Sequence, residues 1–467
     1  MIDWQAPTDS ASAIIELETK IAHAHWSGAE SREQDKIYNL YSLEELALAA
    51  PQFPWQLYFQ EAKLFNLEKV VLRQNTAILE MAKVFSETSL DTLKVWQAFH
   101  IINQSSPYLS KRFKDKHWQF FSHYLQGQPE QRSRQKAGVD LCNQLLGDII
   151  GQEYVALYFN EDAKIKMDEL VTNLKQAMRN RLTNLEWMSE ATKLRALKKL
   201  EGIDVQIGFP SKWTDYSSLN MSEDLITNIV NSGVFEWNLL INKLAQPVDR
   251  NEWHMSPQTV NAYYSPKQNQ IVFPAAILQP PFFNVHADAA VNYGSIGAVI
   301  GHEITHGFDD QGRKSDENGR LNDWWTPDDD QNFIQRAKML GEQYKALKLS
   351  QLPKTHIDPE LTMGENIADL GGVILAFEAY KLSPHLAASK LLDGFSAEQR
   401  FFLGFAQVWR TLITTEYMQY LLTVDPHSPG QVRAFASLRN VQAWYDAFNV
   451  QAEDDLYISP LERVEIW

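Results

Sequence analysis

The chain has 467 residues, 44% hydrophobic and 22% charged, a length and balance that fit two globular domains or one large one. With 43 Lys and Arg against 59 Asp and Glu, the formal net charge is −16, which repels phosphate backbones and anionic lipid and sets nucleic acid and membrane surfaces aside as partners. A single cysteine, Cys142, excludes an internal disulfide framework, and no apolar stretch is long enough to cross a bilayer.

Aromatic residues make up 12%, with 14 Trp among them, which favours a large packed core or a cavity lined by rings. The stretch from Met1 to Pro7 lacks a basic region followed by an apolar one, so no signal peptide is visible. The compartment is left open between the cytoplasm and, given an export signal upstream, a bacterial periplasm or the exterior.

In chain order, Cys142 sits in the apolar pattern Val139 to Leu146 and is expected to be a buried structural thiol. Met167, Leu170, Val171, Leu174, Ala177 and Met178 fall at helical spacing, and a second periodic segment runs from Glu190 to Leu200. Both read as core-facing stripes of a helical domain. The basic run from Lys193 to Lys199 reads as a solvated helix face. The texture changes at Ile207-Gly208-Phe209-Pro210 and again between residues 220 and 228, which places a domain boundary near residue 225, give or take roughly ten residues. The expected division is a helical domain over 1–225 and a catalytic domain over 226–467. Gln270-Ile271-Val272-Phe273 is a short extended segment after that boundary.

The chemistry begins at His302-Glu303-Ile304-Thr305-His306, preceded by the small, apolar run from Ser295 to Gly301 that suits a buried helix. Positions i and i+4 of a helix project from one face a turn apart, so both imidazoles can reach one metal ion. Glu303 lies beside the first of them, placed to contact a water on the metal without binding the metal itself. Such a string arises by chance on the order of once per hundred chains of this size. Zinc needs a third protein ligand. An extended motif with a third histidine would need Gly at position 309 and His at 312, where this chain has Asp309 and Gly312. Glu365-Asn366-Ile367-Ala368-Asp369 offers a glutamate and, one helical turn on, an aspartate that could accept a proton from the far nitrogen of a ligand histidine. Taken alone, that pair reads better as two solvated carboxylates.

These motifs, in this order, resemble the neprilysin family of zinc metallopeptidases, and especially its bacterial oligopeptidase O-like members. The resemblance runs from Trp187-Met188 and Ile207 to Pro210, through Asn261 to Pro266 and Phe273 to Phe283, to Gly301 to Asp310, Trp324-Trp325-Thr326 and Glu365 to Gly372. His427-Ser428-Pro429, Arg433 and the final Ile466-Trp467 complete it. It implies a mainly α fold: a thermolysin-like zincin catalytic domain and a second, helical domain enclosing a central cavity. The match begins inside the family's helical domain, so the chain is expected to lack an N-terminal part relative to the family.

The resemblance makes His302, His306 and Glu365 the ligands of one Zn2+ per chain and Glu303 the base. It makes Asp369 the partner of a ligand histidine and His427 the stabiliser of the oxyanion. Asn261 and Ala262 would bind the substrate backbone as an added edge strand, and Arg433 would hold a substrate carbonyl. Ile277, Phe282, Val299, Val408 and Trp409 resemble the apolar pocket for the residue after the scissile bond. The implied activity is endopeptidase cleavage of oligopeptides on the amino side of hydrophobic residues. The alternative is a shortened, inactive homologue that binds peptides. Peptides are the only partners expected, and nothing in the sequence bears on oligomeric state.

Overall fold

Apolar residues at a period of 3.6, bounded by Ser, Thr and Asp caps, dictate helix over most of the chain. The structure, a computed structural model that describes residues 7–467 apart from 160, 245, 388 and 389, is mainly helical, with two small sheets among the described residues. Two compact units form. The first comprises the described residues up to Ser133 together with Asp215–Val248; the second comprises Arg134–Thr214 and Asp249–Trp467. A single cut near residue 225 thus falls inside a segment that clusters with the first unit, while 134–214 clusters with the second. Composition along the chain does not show this, because those stretches are held by partners far away in sequence.

In the first unit, helix Ser10–Ala24 packs on Asn75–Glu87 and Leu90–Ser105, and the strands Leu40–Ser42 and Lys69–Val71 pair antiparallel. Ser27 and Ser42 each begin a helix by accepting from the backbone three residues on, while Glu30 and Glu45 reach back to close the box. Leu46, Phe59 and Leu72 form a small buried cluster. Beside it lies a cavity of about 420 Å³ whose lining includes Phe53, Trp55, Tyr58, Phe85 and Trp96, which absorbs part of the aromatic excess. Helix Leu225–Lys243, capped by Asp224, is pinned by Trp237, whose Nε1 donates to the Ala62 carbonyl at 2.9 Å.

The second unit carries the larger core. Its principal elements are α1 (Glu161–Asn184), α2 (Glu190–Glu201), β1 (Asp204–Gly208), β2 (Tyr263–Ser265), β3 (Gln270–Pro274), α3 (Ala298–His306), α4 (Pro327–Lys345), α5 (Pro359–Leu382) and α6 (Ala397–Val408). The stripe from Met167 to Met178 on α1 is buried, as its period predicts, and packs on α5. The extended segment Gln270 to Phe273 is the fully buried central strand β3, parallel to β1 and antiparallel to β2, which leaves β2 at the sheet edge. Asn269 enters β3 with φ of 47°, a left-handed conformation that asparagine tolerates better than most residues.

The buried carboxylate of Asp329 joins α2 to α4. It accepts from the backbone and hydroxyl of Ser189 and from the hydroxyls of Thr192 and Thr326, at 2.5–2.8 Å. Trp467 is buried among Trp187, Trp325, Phe308 and Phe333. Two expectations fail here. Cys142 is exposed, because the helix that carries it, Arg134–Leu145, turns no residue fully into the core. Lys199, expected on a solvated face, is 1% exposed.

Helices α3 and α5 make the most extensive contact of any two elements. Glycine permits it. A Cβ on Gly301 would lie 2.7 Å from the Gly372 carbonyl oxygen, and one on Gly372 would lie 2.6 Å from the Ala298 oxygen and 2.8 Å from the His302 nitrogen. Just before α3 the chain from Tyr293 to Gly297 widens into a π turn, a local irregularity often found beside functional sites.

Candidate metal centre

Helix α3 presents His302 and His306 from one face, and α5 brings Glu365 opposite them. The two Nε2 atoms are 2.9 Å apart, and Glu365 Oε2 lies 3.2 Å from the first and 3.4 Å from the second. One ligand atom from each of the three residues fits within a sphere of mutual distances no greater than 4.8 Å. The far side of each ring is held by a carboxylate: His302 Nδ1 is 2.9 Å from Asp369 Oδ1, and His306 Nδ1 is 2.7 Å from Asp309 Oδ2. A proton on each Nδ1 is thereby fixed, which leaves both Nε2 lone pairs aimed at the same point.

These groups suit a cation. Two imidazole nitrogens facing each other at 2.9 Å share no proton comfortably, and Glu365 Oε2 is buried against three ring nitrogens at 3.1–3.4 Å. Burial works against charge on every one of them. Even so, Glu365 and Asp309 hold His306 well above its ordinary value, and His306 and His302 hold Glu365 well below its own. A carboxylate and two nitrogen lone pairs that draw positive charge to one point form a donor set of the N/O type that zinc takes.

Asp369 is itself gripped by Arg433, whose Nε and Nη2 donate to its two oxygens at 2.8 and 2.7 Å. Burial would raise the Asp369 carboxyl, but Arg433 and His302 hold it down to about 2. The guanidinium also lies 3.8 Å from the centroid of the Trp409 ring. The fork of Arg433 is therefore committed to the carboxylate behind His302.

Glu303, next in the chain to His302, is buried outside the group of three, and desolvation raises its carboxyl above the usual range against the pull of His302 and His306. His427 comes to the same place from a loop: its Nε2 is 3.1 Å from Glu365 Oε2 and its Nδ1 is 2.8 Å from Asp425. Burial disfavours its charge, but Asp425 and Glu365 lift it to about 9. Ser428 ties that loop to α5 through a 2.7 Å hydrogen bond to Asn366, the neighbour of Glu365. Asp425 and the Ser428–Asn366 bond were not among the expected site residues; an aspartate two positions before a loop histidine was the available signal.

The remaining expected residues are placed as follows. Asn261 is exposed and Ala262 buried, immediately before the edge strand β2. Ile277, Val299 and Val408 are buried, and Phe282 and Trp409 are half-buried against the core.

Comparison with known proteins gives a consistent result. The sequence model of peptidase family M13 matches residues 261–464, and its N-terminal counterpart matches residues 2–210. The solved zinc metalloprotease Zmp1 of Mycobacterium tuberculosis, in complex with an inhibitor, is 42% identical, with a TM-score of 0.94 over 98% of this chain and 70% of that one. PepO from Lactobacillus rhamnosis is 30% identical, with a TM-score of 0.90 over 98% of this chain and 71% of that one. Endothelin-converting enzyme 1 of Mus musculus is 31% identical over 100% of this chain and 62% of its own length. The chain spans 65% of an endothelin-converting enzyme homolog of Locusta migratoria, at 33% identity over 97% of this chain. It therefore covers a little under two thirds of the length of these curated relatives.

Proposed function

The chain belongs to peptidase family M13, the neprilysin family, and from that premise we propose that it is a zinc-dependent endopeptidase that hydrolyses oligopeptides. The observation that carries the proposal is the convergence of His302, His306 and Glu365, each histidine backed by its own carboxylate. We assign the chemistry to the second unit, whose stretch from Asp249 onward carries every residue of the centre, with one zinc held by these three residues.

When bound, zinc would supply Lewis acidity toward a water and the scissile carbonyl. Asp369 and Asp309 keep the two ligand rings in the tautomer that binds. Glu303, its carboxyl raised by burial, takes the proton of the attacking water and returns it to the leaving amine. His427, held at Nδ1 by Asp425, donates from Nε2 to the developing oxyanion. The edge strand β2 offers backbone groups to an extended peptide entering beside Asn261 and Ala262. Arg433 has five N–H donors, and those not taken by Asp369 can meet a substrate carbonyl. Ile277, Phe282, Val299, Val408 and Trp409 form the apolar pocket that favours cleavage before a hydrophobic residue.

An inactive peptide-binding homologue is not favoured, because the chain keeps Glu303 and the grouping of His302, His306 and Glu365, with Asp369 and Asp309 behind the two rings. The test is hydrolysis of a short peptide with an internal Phe or Leu, with the cut site read by mass spectrometry. Turnover that survives both chelation and Glu303→Gln would sink the proposal, and cleavage after the hydrophobic residue would sink its specificity part.

A further inference from the structure

Helix α2 carries four basic side chains, Lys193, Arg195, Lys198 and Lys199. Lys193 pairs with Glu190, and Arg195 and Lys198 both pair with Glu317. Lys199 points the other way, into the core of the second unit. Its Nζ donates to the carbonyl of Gly312 and to that of Ser315, both at 2.7 Å. The rings of Tyr264 and Phe308 lie 5.9 and 5.7 Å from the same nitrogen, close enough for weak cation–π attraction.

The turn it holds, from Gly312 to Ser315, follows the histidine helix after five intervening residues. Gly312 sits so tightly on α3 that a Cβ there would fall 1.7 Å from the His306 carbonyl oxygen. The Gly312 N–H donates to Asp309 Oδ1 at 2.6 Å, and the Gln311 N–H donates to the same oxygen at 2.9 Å. The other Asp309 oxygen is the one that meets His306 Nδ1. A short chain of contacts thus runs from the ammonium to the turn, from the turn to Asp309, and from Asp309 to a ring of the metal centre.

We propose that Lys199 is a positioning residue for the metal centre: by clamping the 312–315 turn it sets Asp309, and through Asp309 the orientation of His306. The inference rests on His306 being a metal ligand. Burial costs the ammonium dearly and pushes it down to about 7, with Asp309 the first of the acids opposing that fall. An amine kept in so unfavourable a place, on two carbonyls of one turn and with no acid as direct partner there, has a local purpose that the acid-paired side chains of the same helix do not share.

The experiment measures zinc affinity of the full chain by competition with a chromophoric chelator, at a temperature where far-UV dichroism shows every variant folded. Lys199→Met keeps the length and removes the donors; we expect zinc to bind about 10-fold more weakly or worse, in line with losses of groups behind a ligand. In the Asp309→Asn background the same substitution should add less than about twofold, because both act through one ring. Ser189→Ala, at the other end of α2, should lower Tm and leave zinc affinity unchanged. Should Lys199→Met not fold, Lys199→Gln, which can keep one carbonyl contact, should weaken zinc about 3-fold with the same dependence on Asp309. Unchanged affinity in the Lys199 variants, full additivity with Asp309→Asn, or an equal loss from Ser189→Ala at matched Tm would each overturn the inference. A parent chain that binds no zinc would instead overturn the assignment of the centre itself.

Discussion

Gly372→Ala tests whether the metal centre depends on how closely α3 and α5 approach. The new Cβ would lie 2.6 Å from the Ala298 oxygen and 2.8 Å from the His302 nitrogen, and both neighbours are backbone, so no side chain can swing aside. Ordinary contact begins near 3.4 Å, so the helices must part by up to about 0.8 Å. Overpacking a tight core costs ~1–3 kcal/mol, and with backbone on both sides the upper end, about 3 kcal/mol, is expected. Glu365 and Asp369 ride on α5 and the histidines on α3, so the same shift opens the 2.9 Å contact between His302 and Asp369 and displaces one ligand from the other two. A misplacement on the order of 1 Å in an active site can cost ~100-fold in rate. Calorimetry, chelator competition and kcat/KM on a short peptide should therefore all fall together. As controls, Gly138→Ala and Gly233→Ala lie in helices with nothing within 4 Å of the added atom and should stabilise by roughly 0.5–1 kcal/mol. A Gly372→Ala protein with zinc affinity within twofold and kcat/KM within threefold of the parent would refute the argument.

Glu303→Gln should cut kcat by ~100- to 10,000-fold while zinc content, measured by atomic absorption, stays at the parent level. Asp369→Asn should weaken zinc by ~10- to 100-fold, and it strips Arg433, whose side chain is 11% exposed, of its counter-charge, so Tm should fall as for a broken buried pair, at most ~3–5 kcal/mol. Burial opposes ionisation of Asp329, yet hydrogen bonds from Ser189, Thr192 and Thr326 hold its pKa below the ordinary carboxylate value. Its stabilisation is then full above the unfolded-state value of about 4 and is lost as pH falls through the folded one. Asp329→Asn should accordingly be less stable at neutral pH and lose less further stability on acidification, as read from denaturant titrations between pH 3 and 7. Chelation of the parent should lower Tm, and restoring zinc should return it in proportion to the logarithm of free metal.

Much of the centre was legible because it is local. The four-residue spacings of His302 with His306 and of Glu365 with Asp369 are properties of one helix each, and the stripe from Met167 to Met178 announces its buried face in the same way. What joins the two helices is not local. Nothing near Gly301 or Gly372 shows that one glycine faces the other. Lys199 sits in a run of basic residues whose other members pair with acids, so its burial depends on a turn more than 110 positions away. The pairing of β1 with β3, across 61 intervening residues of chain between Gly208 and Gln270, draws 134–214 into the catalytic unit. Composition could only mark where texture changes.

That discontinuous second unit has a consequence for synthesis on the ribosome. The apolar stripe of α1 is complete at Asn184, but α5, which covers it, begins only at Pro359. At about 5–20 residues per second the stripe waits roughly ten to thirty-five seconds for its partner. During that interval a nascent chain offers an uncovered greasy helix to chaperones and to neighbouring chains. Slowing translation between these two points should therefore raise aggregation, while slowing it after Leu382 should not.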